Sequence, residues 1–285
     1  GRYKRIRQKL RQGSQMITVD IVNNNKDIRV GERVGVIEPN VFDDCLLVED
    51  GKEVGFYISD VGKYSEKLKK LMTLADTELR SKRVPKSLLE RSDVFNAVYT
   101  EGKTRKQAKS EQTVQYSTII GNIPAKPHMR RPYHNKSSVH SVESAKPFVK
   151  AMRLAADEMA KIIKQIAPAM YDAQVEAMKT IPDKWKFGEM FTSSISNYNI
   201  SAPIHIDKGN VVPSYNCIYT TRQNSSGGCL YVPEYDAVFE QPNNSLLVYP
   251  AWRNKHGVTD IVPTHDGGYR NSLVFYALKA FMEKE

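Results

Sequence analysis

Three residues in the C-terminal half have the types and spacing to hold a metal ion. His205 and Asp207 flank Ile206. Alternate residues of a strand point to one face, so this imidazole and carboxylate can converge on one point. A second imidazole from a distant strand would complete a two-histidine, one-carboxylate set. Such a set leaves three positions of an octahedral iron(II) free for a chelating co-substrate and O2. The chain has six histidines. His256 is the preferred third ligand, because it follows the apolar run 245–250 and opens His-Gly-Val, where Gly257 lets backbone pack close to the metal. His265 instead sits in the turn-forming Thr264-His265-Asp266-Gly267-Gly268. Arg270 stands at the head of the last apolar strand, 271–279. There a guanidinium can grip a carboxylate with a bidentate fork that lysine cannot reproduce. Ser272, on the same strand face, can donate to that carboxylate too. An HxD alone arises by chance on surface strands, and Arg270 alone reads equally well as a strand-edge charge. The signal is their order: HxD, distal His, then Arg before the final apolar strand.

These residues need a scaffold that brings distant strands together. From residue 190 onward, short strands are expected at 190–200, 203–207, 214–221, 228–233, 237–240, 245–250, 256–262 and 271–279. Eight short strands with no helix between them point to an antiparallel double-sheet jelly roll. Before them Phe148, Met152, Ala155, Met159, Ile163 and Ile166 recur at helical spacing between Pro147 and Pro168. This predicts a helix that buttresses a sheet, and a second helical stretch, 170–178, extends it past a kink at Pro168. Residues 16–60 read as short strands with a hairpin at Asp50-Gly51. Stretches 64–79 and 103–111 read as helices, and 120–143, interrupted by Gly121, Pro124, Pro127 and Pro132, as a loop. The expected fold is α+β: a double-stranded β-helix (jelly-roll) core with buttressing helix over 141–285, and a basic N-terminal α/β extension over 1–140.

Composition limits the partners. The net charge is +10, and basic residues cluster at Arg2, Lys4, Arg5, Arg7, Lys9 and Arg11, at Lys103, Arg105, Lys106 and Lys109, and at Lys126, Arg130, Arg131 and Lys136. Any one cluster reads equally well as solvated surface; three together favour a polyanion such as nucleic acid. No apolar run approaches the roughly 18 residues of a membrane helix. Three scattered cysteines cannot build a disulfide framework or a cysteine zinc site. With a polar, basic start in place of a secretory signal, the expectation is a monomer in a reducing compartment, cytoplasmic or nuclear, with no membrane partner.

FTSSISNYN, HIDKGN, GGCLYVPEY, SLLVYPAWRNKHGV and YRNSLVFYALK, spread over 191–279, resemble the TET/JBP family of 2-oxoglutarate oxygenases that oxidise the 5-methyl group of pyrimidines in nucleic acid. The resemblance implies that His205, Asp207 and His256 bind iron(II), that Arg270 and Ser272 hold 2-oxoglutarate, and that O2 is the co-substrate. It further implies that Asn210 hydrogen-bonds a flipped base and that Tyr276 stacks on it. The implied reaction is hydroxylation of 5-methylcytosine in DNA to 5-hydroxymethylcytosine, with release of succinate and CO2. Two departures bear on this. The chain lacks the cysteines for the zinc-binding region of animal members, so it resembles the compact phage and microbial type. It also has Leu278 where those enzymes place a base-contacting histidine. Thymine hydroxylation therefore stays open, as do a protein or small-molecule substrate and a DNA-binding protein on an inactive barrel.

Overall fold

The computed structural model describes residues 9–10, 16–24, 27–88 and 115–284. The expected helix around 103–111 and the basic clusters at 2–11 and 103–109 lie outside the residues whose side chains are described.

Two antiparallel sheets face each other across the site. The first contains β8 (Ser193–Tyr198), β10 (Asn216–Gln223), β14 (Ser245–Tyr249) and β17 (Tyr269–Tyr276), hydrogen-bonded in the order β14-β10-β17-β8. The second has β13 (Ala237–Phe239), β12 (Leu230–Val232), β15 (His256–Val258) and β9 (Ala202–His205), in the order β13-β12-β15-β9. These are the eight expected strands. Four on four, they form the jelly roll of an α+β chain. The run 256–262 divides, however: β15 ends before Thr259-Asp260 and β16 (Ile261–Pro263) pairs instead with β11 (Ser225–Gly227). The last strand also begins two residues early and stops at Tyr276, so Arg270 lies inside it and not before it.

The first sheet does not end with the jelly roll. β4 (Lys52–Ile58), β3 (Cys45–Glu49), β2 (Ile17–Asp20) and β1 (Lys9–Leu10) extend it beyond β14, while β6 (Tyr116–Ile123), flanked by β5 (Ser87–Leu88) and β7 (Asn135–Lys136), extends it beyond β8. Strands from both sides of residue 140 share this one sheet. The Asp50-Gly51 hairpin forms as expected, with φ of 50° and 77° at its two central residues. The loop expected from 120 onward is corrected by β6. Gly121 does not break the strand but lets it pass close to β8, since a Cβ there would lie 2.8 Å from the Thr192 carbonyl oxygen.

Helices α1 (Glu66–Leu79) and α2 (Lys146–Ile166) cover the outer face of this sheet. Ser65 caps α1, its Oγ accepting from Leu68 N–H at 3.0 Å. Leu68, Met72 and Ala75 of α1 pack with Met152, Ala155 and Met159 of α2 against Leu246, Leu273 and Phe275 of the sheet. In place of the kink expected at Pro168, the chain breaks. Ala167 leaves helical geometry (φ −135°, ψ 69°), and Pro168 opens α3 (Pro168–Met178), where its missing N–H costs nothing.

Alternation along β17 assigns its residues to two environments. Leu273 and Phe275 enter the helix-covered core, whereas Arg270, Ser272, Val274 and Tyr276 face the space between the sheets. Asp76 of α1 fixes this register from outside. Its carboxylate accepts from Asn271 Nδ2 (2.7 Å), Tyr269 Oη (3.0 Å), Thr221 Oγ1 (2.7 Å) and Arg80 Nε (3.1 Å), so both neighbours of Arg270 are held.

Candidate active site

The inner faces enclose a cavity of about 630 Å³. His205 and His256 meet at its wall because they are directly opposed partners on β9 and β15. Strand pairing therefore brings together two histidines that the sequence separates. Their ring centroids are 4.2 Å apart. Each ring's Nδ1 lies 2.8 Å from a backbone carbonyl, of Pro203 and Asn254 respectively. Nδ1 must therefore carry the proton, which leaves Nε2 of both rings as the lone-pair donor facing the cavity. Gly257 is needed here, but for a reason other than closeness to a metal: a Cβ would meet Val34 Cγ2 at 2.4 Å and the Ala202 carbonyl oxygen at 3.0 Å.

Asp207 follows β9, its N–H donating to the Ala251 carbonyl at 3.0 Å. Its Oδ1 lies 3.5 Å from His205 Nε2 and its Oδ2 3.7 Å from His256 Nε2. One ligand atom from each of the three residues lies within 4.8 Å of the others, the only such group among the described residues. His256 is buried, and burial followed by the neighbouring His205 pushes its pKa down to about 3. It is therefore a neutral ligand at any physiological pH. Burial raises the Asp207 pKa, opposed by His205 and by a hydrogen bond from Asn216. A divalent cation here would relieve the cost of that half-buried carboxylate. His265 lies in an exposed turn, away from this group.

Arg270 lines the same cavity and is 2% exposed. Its backbone N–H donates to Asn199 Oδ1 at 2.8 Å, and its Nη2 to Gln241 Oε1. Its Nε has no partner, and no carboxylate pairs with it among the described residues. Burial, followed by neighbouring Arg222, pushes its pKa down to about 9, so it remains a cation at neutral pH. A buried guanidinium without a counter-ion is costly unless an anion completes it. Gly228 keeps the approach to it open: a Cβ there would stand 3.0 Å from Arg270 Nε. Ser272, two residues along the same face, accepts from Asn197 Nδ2 at 3.3 Å and keeps its own O–H free to donate. A carboxylate of a chelating oxo acid fits this end of the cavity, and the three-ligand set fits iron(II) at the other.

Tyr276 and Leu278 form an apolar flank of the cavity. Burial, then the charge of Asp207, raises the Tyr276 pKa, which keeps its ring neutral beside the ligand group. A backbone bridge between Asn210 and Leu278, with Lys279 N–H donating to the Gly209 carbonyl at 3.0 Å, ties the segment after Asp207 to the chain end. Asn210 is 3% exposed and lies on the cavity wall. Its Nδ2 donates to Asn216 Oδ1 at 2.8 Å, and Asn216 Nδ2 donates to Asp207 Oδ2 at 3.1 Å. Asn216 and Gln241 were not legible as site residues. Asn216 left one signal, a polar residue opening the run Cys217-Ile218-Tyr219; Gln241 left none. The turn at 124–136 carries the exposed Lys126, Arg130, Arg131 and Tyr133, and is anchored by the His134 ring against Trp185 and Phe281.

Comparison with known proteins agrees with this architecture. The family profile Tet_JBP, the oxygenase domain of the 2OGFeDO superfamily, matches residues 121–279. Among solved structures, NgTET1 in complex with 5mC DNA superimposes with a TM-score of 0.57 at 13% identity, over 95% of this chain and 85% of that one. An oxidoreductase of the 2OG-Fe(II) oxygenase family from Burkholderia pseudomallei gives a TM-score of 0.42 at 12% identity, over 78% of this chain and 84% of that one. A sequence search of curated proteins finds no match.

Proposed function

The chain belongs to the Tet_JBP family of 2-oxoglutarate- and iron(II)-dependent oxygenases, and on that premise we propose that it hydroxylates the 5-methyl group of 5-methylcytosine in DNA, yielding 5-hydroxymethylcytosine. The observation that carries the reading is one cavity holding three groups: the His205–Asp207–His256 donors, a buried Arg270 without a counter-ion, and the flank of Tyr276, Leu278 and Asn210. When bound, iron(II) with 2-oxoglutarate supplies the activation of O2 and the transfer of one oxygen atom to a C–H bond, releasing succinate and CO2.

The chain's own residues then have distinct tasks. His205, Asp207 and His256 hold the metal from one side. Arg270 and Ser272 hold the carboxylate of 2-oxoglutarate that lies away from it, fixing the co-substrate's direction. Tyr276 offers a flat face for a base, and Asn210 offers an amide to its edge. A methyl inside a duplex cannot reach a site between two sheets, so the nucleotide must be extruded. The fold of this chain is that of a protein solved with 5mC DNA, and the exposed Lys126, Arg130, Arg131 and Lys136 supply positive charge that suits phosphates.

Leu278 favours one second reading. Its side chain cannot hydrogen-bond a base, so thymine is the alternative target, with 5-hydroxymethyluracil as product. The test is nucleoside mass spectrometry after incubation with DNA carrying each base. Oxidised thymine alone would replace the first reading with the second, and succinate formation indifferent to DNA would remove both.

A further inference from the structure

Asp207, Asn216 and Asn210 form a chain of two amides that runs from the metal-ligand carboxylate to the cavity wall. An ionised carboxylate can only accept hydrogen bonds. The group 3.1 Å from Asp207 Oδ2 must therefore be the NH2 of Asn216 and not its oxygen. That choice fixes Asn216 Oδ1 toward Asn210, 2.8 Å away, and an oxygen there requires the Asn210 NH2. The chemistry of Asp207 thus sets the flip of both amides. Asn210 cannot turn over without breaking the bond to Asn216. Both asparagines are buried, at 5% and 3% exposure, so water does not readily replace a lost partner. The Oδ1 of Asn210 has no protein partner among the described residues, and Asn210 lines the cavity.

We propose that Asn216 is a positioning residue with two linked effects: it orients Asp207 for the metal, and it locks Asn210 with its carbonyl free, so that the site selects a base presenting an exocyclic amine, and not an exocyclic carbonyl, to it. Cytosine has an exocyclic amine where thymine has a carbonyl. The relay thereby favours 5-methylcytosine on a wall where Leu278 discriminates nothing. The second effect rests on the reading that a target base enters this cavity; the first does not.

The test uses Asn216→Leu, which keeps the shape of the side chain and removes both hydrogen-bonding groups. Anaerobic calorimetric titration with manganese(II), without DNA or 2-oxoglutarate, is expected to show roughly 10–100-fold weaker binding than the native chain, as for other groups that orient a metal ligand. Melting with and without manganese separates a lost fold from a lost ligand orientation, and Asn216→Ala serves if the leucine variant does not fold. Native affinity in a folded variant overturns the proposal. In competition between oligonucleotides carrying 5-methylcytosine and thymine, the native preference for the methylcytosine strand is expected to collapse in Asn216→Leu; an unchanged ratio overturns the coupling. If the native chain oxidises neither base, the substrate reading falls, while the manganese titration still decides the role of Asn216.

Discussion

At the residue scale the site depends on a buried guanidinium and a half-buried carboxylate. No carboxylate pairs with Arg270 among the described residues, and Asp207 faces the Nε2 atoms of His205 and His256. Replacing Arg270 by Lys keeps a charge but loses the fork, and a charge-assisted hydrogen bond contributes about 1.5–3 kcal/mol. Arg270→Lys should therefore raise the apparent Kd for 2-oxoglutarate roughly 10- to 100-fold, read by titration under nitrogen, with metal affinity unchanged; equal loss of both would mean a general collapse of the cavity. Gly228→Ala is the steric counterpart. It places a methyl 3.0 Å from Arg270 Nε at a backbone φ of 66°, and should weaken 2-oxoglutarate binding in the same assay without touching a metal ligand.

Element packing decides which residues reach the cavity. Asp76 holds Tyr269 and Asn271 from α1, and losing it leaves Thr221, Asn271 and Arg80 without their acceptor. Asp76→Ala should cost about 3–5 kcal/mol in denaturant unfolding. His140 ties the 137–142 segment to β6, its Nε2 accepting from Gly121 N–H at 2.8 Å. Burial, then Lys136, lowers its pKa. A folded pKa below the unfolded one means that the unfolded chain takes up the proton first. This contribution to stability is thus complete above the ordinary histidine pKa of about 6.5 and falls as pH drops below it. Stability measured from pH 8 to pH 5 should decline less steeply in His140→Gln, whose amide oxygen can still accept; parallel curves would remove His140 as the cause. The eight strands and the helix at 146–166 were legible because alternation and helical spacing are local. β6 was not, because Gly121 reads as a breaker unless the neighbouring β8 is known. The grouping of His205, Asp207 and His256 was legible by residue type, and the pairing of β9 with β15 explains how the two histidines meet. Asn216 was hidden because an asparagine acquires its role only from what faces it.

At the scale of the whole molecule, the sheet that carries Arg270 continues into strands from both ends of the chain, so ligand binding should stabilise the fold as a whole. Iron or manganese at 100 times its Kd adds about 2.7 kcal/mol, or a rise of roughly 5–10 °C in Tm at about 2–4 °C per kcal/mol, and 2-oxoglutarate adds to it. Chelation should reverse it, and a Tm blind to both would place the ligands outside the cavity. The net charge of +10 predicts DNA affinity that falls steeply with salt. The central claim is tested most directly by supplying methylated DNA, iron(II), 2-oxoglutarate and O2, and analysing the nucleosides by mass spectrometry with His205→Ala as the blank. The account predicts 5-hydroxymethylcytosine matched by succinate in the native chain and neither in the blank. Succinate without any oxidised base, or product surviving in the blank, would contradict it.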